Sequence, residues 1–71
     1  MNIKIGANIK KLRTENNIMQ DALATAIGVT PQAISRWESE GGYPDIELLP
    51  ALADFFSVSV DELIGYRLSE R

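Results

Sequence analysis

The 71-residue chain contains no cysteine and no histidine. Together these absences exclude disulfides, thiolate nucleophiles, imidazole acid–base chemistry and the usual zinc ligands. Ser35 and Ser39 have no imidazole to activate them, and the adjacent Asp61 and Glu62 would point in different directions on a helix. No enzyme activity, metal or cofactor is therefore expected. No apolar run approaches membrane-spanning length, and the opening MNIKIGANIKK lacks the apolar block of a signal peptide. Internal repeats, low-complexity tracts and linkers are also missing. The expectation is one cytoplasmic domain with no membrane partner.

Positive charge is scarce as well. Seven basic residues face ten acidic ones, a net −3, which by itself disfavours a polyanionic partner. The distribution reverses that impression. Residues 1–37 carry Lys4, Lys10, Lys11, Arg13 and Arg36 against Glu15 and Asp21, a local +3, and residues 38–71 carry the remaining −6.

The chain is organised around QDALATAIGVTPQAISRWE, Gln20 to Glu38. Leu23 and Ile27 are four apart, the spacing of a buried helical stripe, and Ala24 leaves room for a close crossing. Gly28 stops this helix in the position that favours positive φ. Val29 is an apolar plug. Thr30 then caps a second helix with Pro31 as its first residue. On that helix Ala33, Ile34 and Trp37 share one side, while Gln32, Ser35 and Arg36 share the other. Upstream, Ile5, Ile9 and Leu12 form one face of a first helix ending near Asn16-Asn17, and Ile18 plugs the next turn. Downstream, Asp45 is expected to cap a fourth helix whose apolar side is Ile46, Leu48, Leu49, Leu52, Ala53, Phe55 and Phe56. Pro50 lies inside this segment, so either the helix starts later with Pro50 in its first turn, or it kinks there. Ser59 and Glu62 form a capping box for a short fifth helix through Leu63 and Ile64, closed by Gly65.

Gln20, Ala24, Gly28, Ile34 and Trp37, with Leu23, Ile27 and Val29 between them, resemble the helix-turn-helix of the phage-repressor and Cro-like family, also called the xenobiotic-response-element (XRE) family. IGANIKKLR resembles its first helix and PDIELLPALADFFSVSVDELIG its fourth and fifth, so the likeness spans nearly the whole chain. It implies an all-α, compact five-helix lambda-repressor-like domain over residues 1–66, with the helix-turn-helix as helices two and three. Residues 67–71 read as a tail or the start of a further region. It also implies a transcription regulator, a repressor, that binds double-stranded DNA in the major groove as a homodimer. With Leu52, Phe55, Phe56, Val60, Leu63 and Ile64 assigned to the core, only Tyr66 and Leu68 remain for a partner, so this segment alone is expected to be a monomer or weak dimer.

The resemblance assigns roles. Gln32 and Arg36, four apart on one face, are candidates for base edges, Gln toward adenine and Arg toward guanine. Ser35 is a further candidate, and Pro31 stands where relatives often carry a polar reader, able to offer only an apolar contact. Gln20 resembles the family's phosphate-binding glutamine, and Thr30, Gly41 and Gly42 are further phosphate candidates. Arg13 and Glu38 match a pair that forms a salt bridge between the first and third helices in relatives. Three departures stand out. Met19 replaces the usual Ser or Thr cap of helix two. Glu40 replaces the usual Gly two residues after Glu38, so the third helix is expected to run longer or end in a different turn. The Gly41-Gly42 pair after it is expected to be a flexible loop with open N–H groups. A protein-interaction module, as in an antitoxin or adaptor, is the alternative suited to the acidic second half.

Overall fold

A computed structural model describes residues 4–65. Five α-helices run in order: α1 (Ile5–Glu15), α2 (Gln20–Ile27), α3 (Pro31–Glu38), α4 (Leu49–Phe56) and α5 (Val60–Ile64), with a 3-10 turn at Ile46–Leu48 before α4. The buried side chains come from all five: Ile5 and Ile9, Leu23 and Ala24, Ile34 and Trp37, Leu52, and Leu63. Leu12, Ile18, Ile27 and Val29 pack around them. Trp37 is a core residue, as its spacing with Ile34 predicts. Pro50 falls in the first turn of α4, where its missing N–H has no helical partner to lose.

Helix ends explain the chain path. Every helix is followed by a residue with positive φ: Asn17, Gly28, Glu40, Ser57 and Gly65. In four cases the next N–H folds back to a carbonyl inside the helix: Ile18 to Arg13, Val29 to Ala24, Gly41 to Arg36 and Val58 to Ala53. These backbone bonds satisfy terminal carbonyls and reverse the chain within a turn. Only two of the five residues are glycines, so three of the stops carry a side chain in a conformation that favours its absence.

Glu40 corrects one expectation. α3 does not run on past Glu38: Glu40 itself takes φ 65°, and Gly41 N donates back to the Arg36 carbonyl. A side chain in this region costs about 1–2 kcal/mol, partly offset by the greater backbone freedom glycine has in the unfolded chain. Glu40→Gly should therefore stabilise the domain by about 0.5–1 kcal/mol, seen as a higher denaturation midpoint with an unchanged slope.

The approach to α4 corrects three more. The Asp45 side chain makes no capping bond; its carbonyl accepts from Leu48 N at 2.9 Å and starts the 3-10 turn. That tighter turn leaves Ile46 outward, 80% exposed, while Leu48 and Leu49 pack inward. Phe55 is 37% exposed rather than buried. Leu49, Leu52 and Phe56 repeat at helical spacing and take the inner face, leaving Phe55 one step off it, edge-on to Phe56 with centroids 5.0 Å apart. Tyr66, Leu68 and the expected boundary at residue 66 lie outside the described residues.

Candidate nucleic-acid interface

α3 is fastened on three sides. Its start is capped by Thr30, whose hydroxyl oxygen accepts from Ala33 N at 3.2 Å. Its inner face inserts Ile34 and Trp37 into the core. Its last residue, Glu38, accepts a two-pronged contact from α1: Arg13 Nε to Oε2 at 2.7 Å and Arg13 Nη2 to Oε1 at 2.9 Å. Arg13 Nη1 also donates to the Ile18 carbonyl at 2.9 Å. The two side chains are only 13% and 5% exposed, so this is a largely desolvated pair with its hydrogen bonds filled.

The electrostatics follow from that geometry. Burial pushes the Glu38 carboxyl up, but the hydrogen bonds from Arg13 and Gln20 and the positive charges of Arg13 and Lys10 outweigh it, leaving the group below its usual range. The Arg13 guanidinium is raised, chiefly by its hydrogen bond to Glu38, against an opposing effect of burial. Arg13 is thus committed inside the fold. Lys4, Lys10, Lys11 and Arg36 are the exposed basic residues among those described.

Gln20 opens α2 beside this pair. Its Nε2 donates to Glu38 Oε1 at 3.1 Å, leaving one amide hydrogen and its own oxygen for another partner. The sequence did not suggest this link to Glu38. Met19, just before it, supplies no side-chain cap and is 73% exposed, so the first N–H groups of α2 carry no side-chain acceptor.

The outward face of α3 carries Pro31, Gln32, Ser35 and Arg36, all exposed. Among the described residues, the side chains of Gln32, Ser35 and Arg36 make no hydrogen bond within the chain. Of the phosphate candidates, Thr30 keeps its hydroxyl proton free to donate. Gly41 does not keep its N–H: the amide is bonded to the Arg36 carbonyl at 2.8 Å. That overturns the expectation of open amides at both glycines and narrows it to Gly42.

Two further residues set the frame without being singled out by sequence. A Cβ on Gly6 would stand 2.9 Å from the Trp37 carbonyl carbon and 3.4 Å from the Glu38 Cα, so α1 and α3 cross with backbone nearly touching. Asn8 Nδ2 donates to the Leu63 carbonyl at 2.9 Å, tying α1 to α5. A glycine inside an otherwise amphipathic helix is the signal that points to the first; nothing in the sequence marks the second.

The helix-turn-helix family model matches residues 9–63, which include Arg13, α2 and α3. The chain belongs to the helix-turn-helix family. Within it, the chain is 42% identical over 63 residues to the HTH-type transcriptional activator BcrR of Enterococcus faecalis, covering 89% of this chain and 31% of BcrR. Its structure is similar to that of a transcriptional regulator from Listeria innocua, with TM-score 0.90 and 28% identity over 100% of this chain and 66% of that one. It is also similar to the P22 c2 repressor in a crystal with synthetic operator 9T, with TM-score 0.81 and 35% identity over 89% of this chain and 96% of that one. The chain thus spans about a third of its curated relative BcrR. In the helix-turn-helix, α2 and α3 are the two helices of the motif, and Gly28, Val29 and Thr30 are its turn. No helix among the described residues is long and apolar enough to cross a membrane.

Proposed function

We propose that this helix-turn-helix domain binds double-stranded DNA sequence-specifically as part of a cytoplasmic transcription regulator, and that it is not an enzyme. The reading places α3 in the major groove, with two copies on inverted half-sites about one DNA turn apart. The observation that carries it is the contrast between the two faces of α3. One is anchored by Ile34, Trp37 and the Glu38–Arg13 pair; the other offers Gln32, Ser35 and Arg36, whose side chains have no hydrogen-bond partner among the described residues. Rigid support behind unpaired donors and acceptors is what reading base edges requires. Gln20 and Thr30, with the open N–H groups at the start of α2 and at Gly42, are suited to phosphates flanking the groove. Occupancy of an operator would act as repression by excluding the transcription machinery.

The test is binding of variants to a site selected from random DNA and to its single-base mismatches, at two salt concentrations. Arg36→Ala should lose about 1–3 kcal/mol on the selected site and relax discrimination at one base pair. Gln32→Ala should relax a different pair with no change in salt slope, because Gln is neutral. Gln20→Ala should weaken all sequences alike. Unchanged mismatch profiles for both Gln32→Ala and Arg36→Ala would refute base reading by α3. The exposed Ile46, Tyr43 and Phe55 favour a second reading, docking of a protein partner. Absence of DNA binding even at low salt would select it.

A further inference from the structure

Gly41 and Gly42 raise a question that backbone geometry does not answer. Neither has positive φ; that conformation belongs to Glu40 before them. The answer lies in Arg36. A Cβ on Gly41 would stand 2.9 Å from Arg36 Cγ and 3.8 Å from Arg36 Cδ, and a Cβ on Gly42 would stand 3.6 Å from Arg36 Cδ. The stem of Arg36 therefore lies across the two glycines, held there by the turn in which Gly41 N donates to the Arg36 carbonyl at 2.8 Å.

We infer that Gly41 is a positioning residue for Arg36: the bare backbone at 41 is a seat that fixes the direction in which the guanidinium leaves α3. The inference rests on the reading of α3 as the DNA-reading helix and adds how its arginine is aimed. The conflict is with Cγ, whose place is fixed by χ1 alone, so rotation farther along the side chain gives no relief. Inside a helix χ1 has essentially two permitted wells, since the third drives the side chain into the preceding turn. A methyl at 41 thus expels Arg36 from the well it occupies and leaves one alternative, which displaces the guanidinium. At Gly42 the contact is ordinary van der Waals distance, and a methyl there supports the stem rather than displacing it. Pre-setting a side chain as rotamer-rich as arginine reduces the ordering cost of its contact with a base edge, and a single exit direction confines it to one base pair.

The experiment compares the 71-residue chain with Gly41→Ala, Gly42→Ala, Arg36→Ala and Gly41→Ala/Arg36→Ala. The χ1 populations of Arg36 are measured by NMR couplings in the free proteins, and binding is measured on the selected site and its mismatches. One dominant Arg36 χ1 well is expected in the parent and in Gly42→Ala, and a different one in Gly41→Ala. At the base pair that Arg36→Ala relaxes, Gly41→Ala should lose roughly tenfold in discrimination. It should have no further effect there in the Arg36→Ala background. Identical χ1 populations in the parent and Gly41→Ala would overturn the inference. So would an unchanged mismatch profile for Gly41→Ala where Arg36→Ala relaxes it. If Arg36→Ala itself changes no mismatch, base reading by Arg36 fails, and the χ1 comparison still decides whether Gly41 seats the side chain.

Discussion

Glu38→Ala is expected to destabilise the domain by about 3 kcal/mol, well beyond the ~0–1 kcal/mol of a surface ion pair. For a domain of this size that corresponds to a fall of roughly 12–24 °C in melting temperature. Deletion of the carboxylate leaves the Arg13 guanidinium, 13% exposed, with the Ile18 carbonyl as its one remaining hydrogen-bond partner among the described residues, and also frees the Gln20 amide. The loss is that of an orphaned, desolvated charge more than of a favourable contact. Replacing both partners with apolar residues of similar volume should accordingly cost much less than removing one. A double-mutant cycle between positions 13 and 38 measures the coupling, and a value near zero would refute it. The pH dependence has a definite sign. Glu38 titrates lower in the fold than its ordinary value of 4.5, so the folded state binds this proton less readily than the unfolded chain does. Its contribution is fully present above about pH 4.5 and is lost as pH falls through the lower folded value. Parent and Glu38→Gln stability curves should therefore converge in acid.

Gly6→Ala should destabilise by about 2–3 kcal/mol, although alanine in a helix is ordinarily better than glycine by about 1 kcal/mol. The new methyl meets the Trp37 carbonyl, which is backbone and cannot rotate away. Relief requires α1 and α3 to separate, and that separation pulls on the Arg13–Glu38 contact less than one helical turn away along α3. The sign is the diagnostic result. Chemical denaturation showing Gly6→Ala at or above the parent would mean that the two helices do not cross this closely.

Much of this domain is legible in its sequence because the information is periodic and local. The Leu23/Ile27 and Ile34/Trp37 stripes, the Thr30-Pro31 start and the Ser59–Glu62 capping box each declare themselves within a few residues, and each is found in place. Helix stops were legible where glycine marks them, at Gly28 and Gly65. They were harder to read where Glu40 does the same work, because the left-handed turn is enforced there by backbone hydrogen bonds and packing rather than by residue type. Phe55 and Ile46 depart from the expected core because hydrophobicity fixes a preference, while the phase of α4 and the tighter 3-10 turn decide which side chains reach the core. In the interface, which polar residues face outward on α3 follows from helical spacing. What those residues lean on does not. The Gln20–Glu38 bond and the Arg36 seat join positions whose proximity exists only after the chain has turned, at Gly28 for the first and at Glu40 for the second.

The Asn8–Leu63 hydrogen bond joins residues 55 positions apart, and a Cβ on Gly65 would lie 2.9 Å from the same Asn8 amide nitrogen. Gly65, which closes α5, therefore sits against the Asn8 side chain on α1. The topology is nearly a closed ring. A short glycine-rich bridge from α5 to α1, with the covalent chain reopened at Ser57 between α4 and α5, would make α5 the first helix synthesised instead of the last.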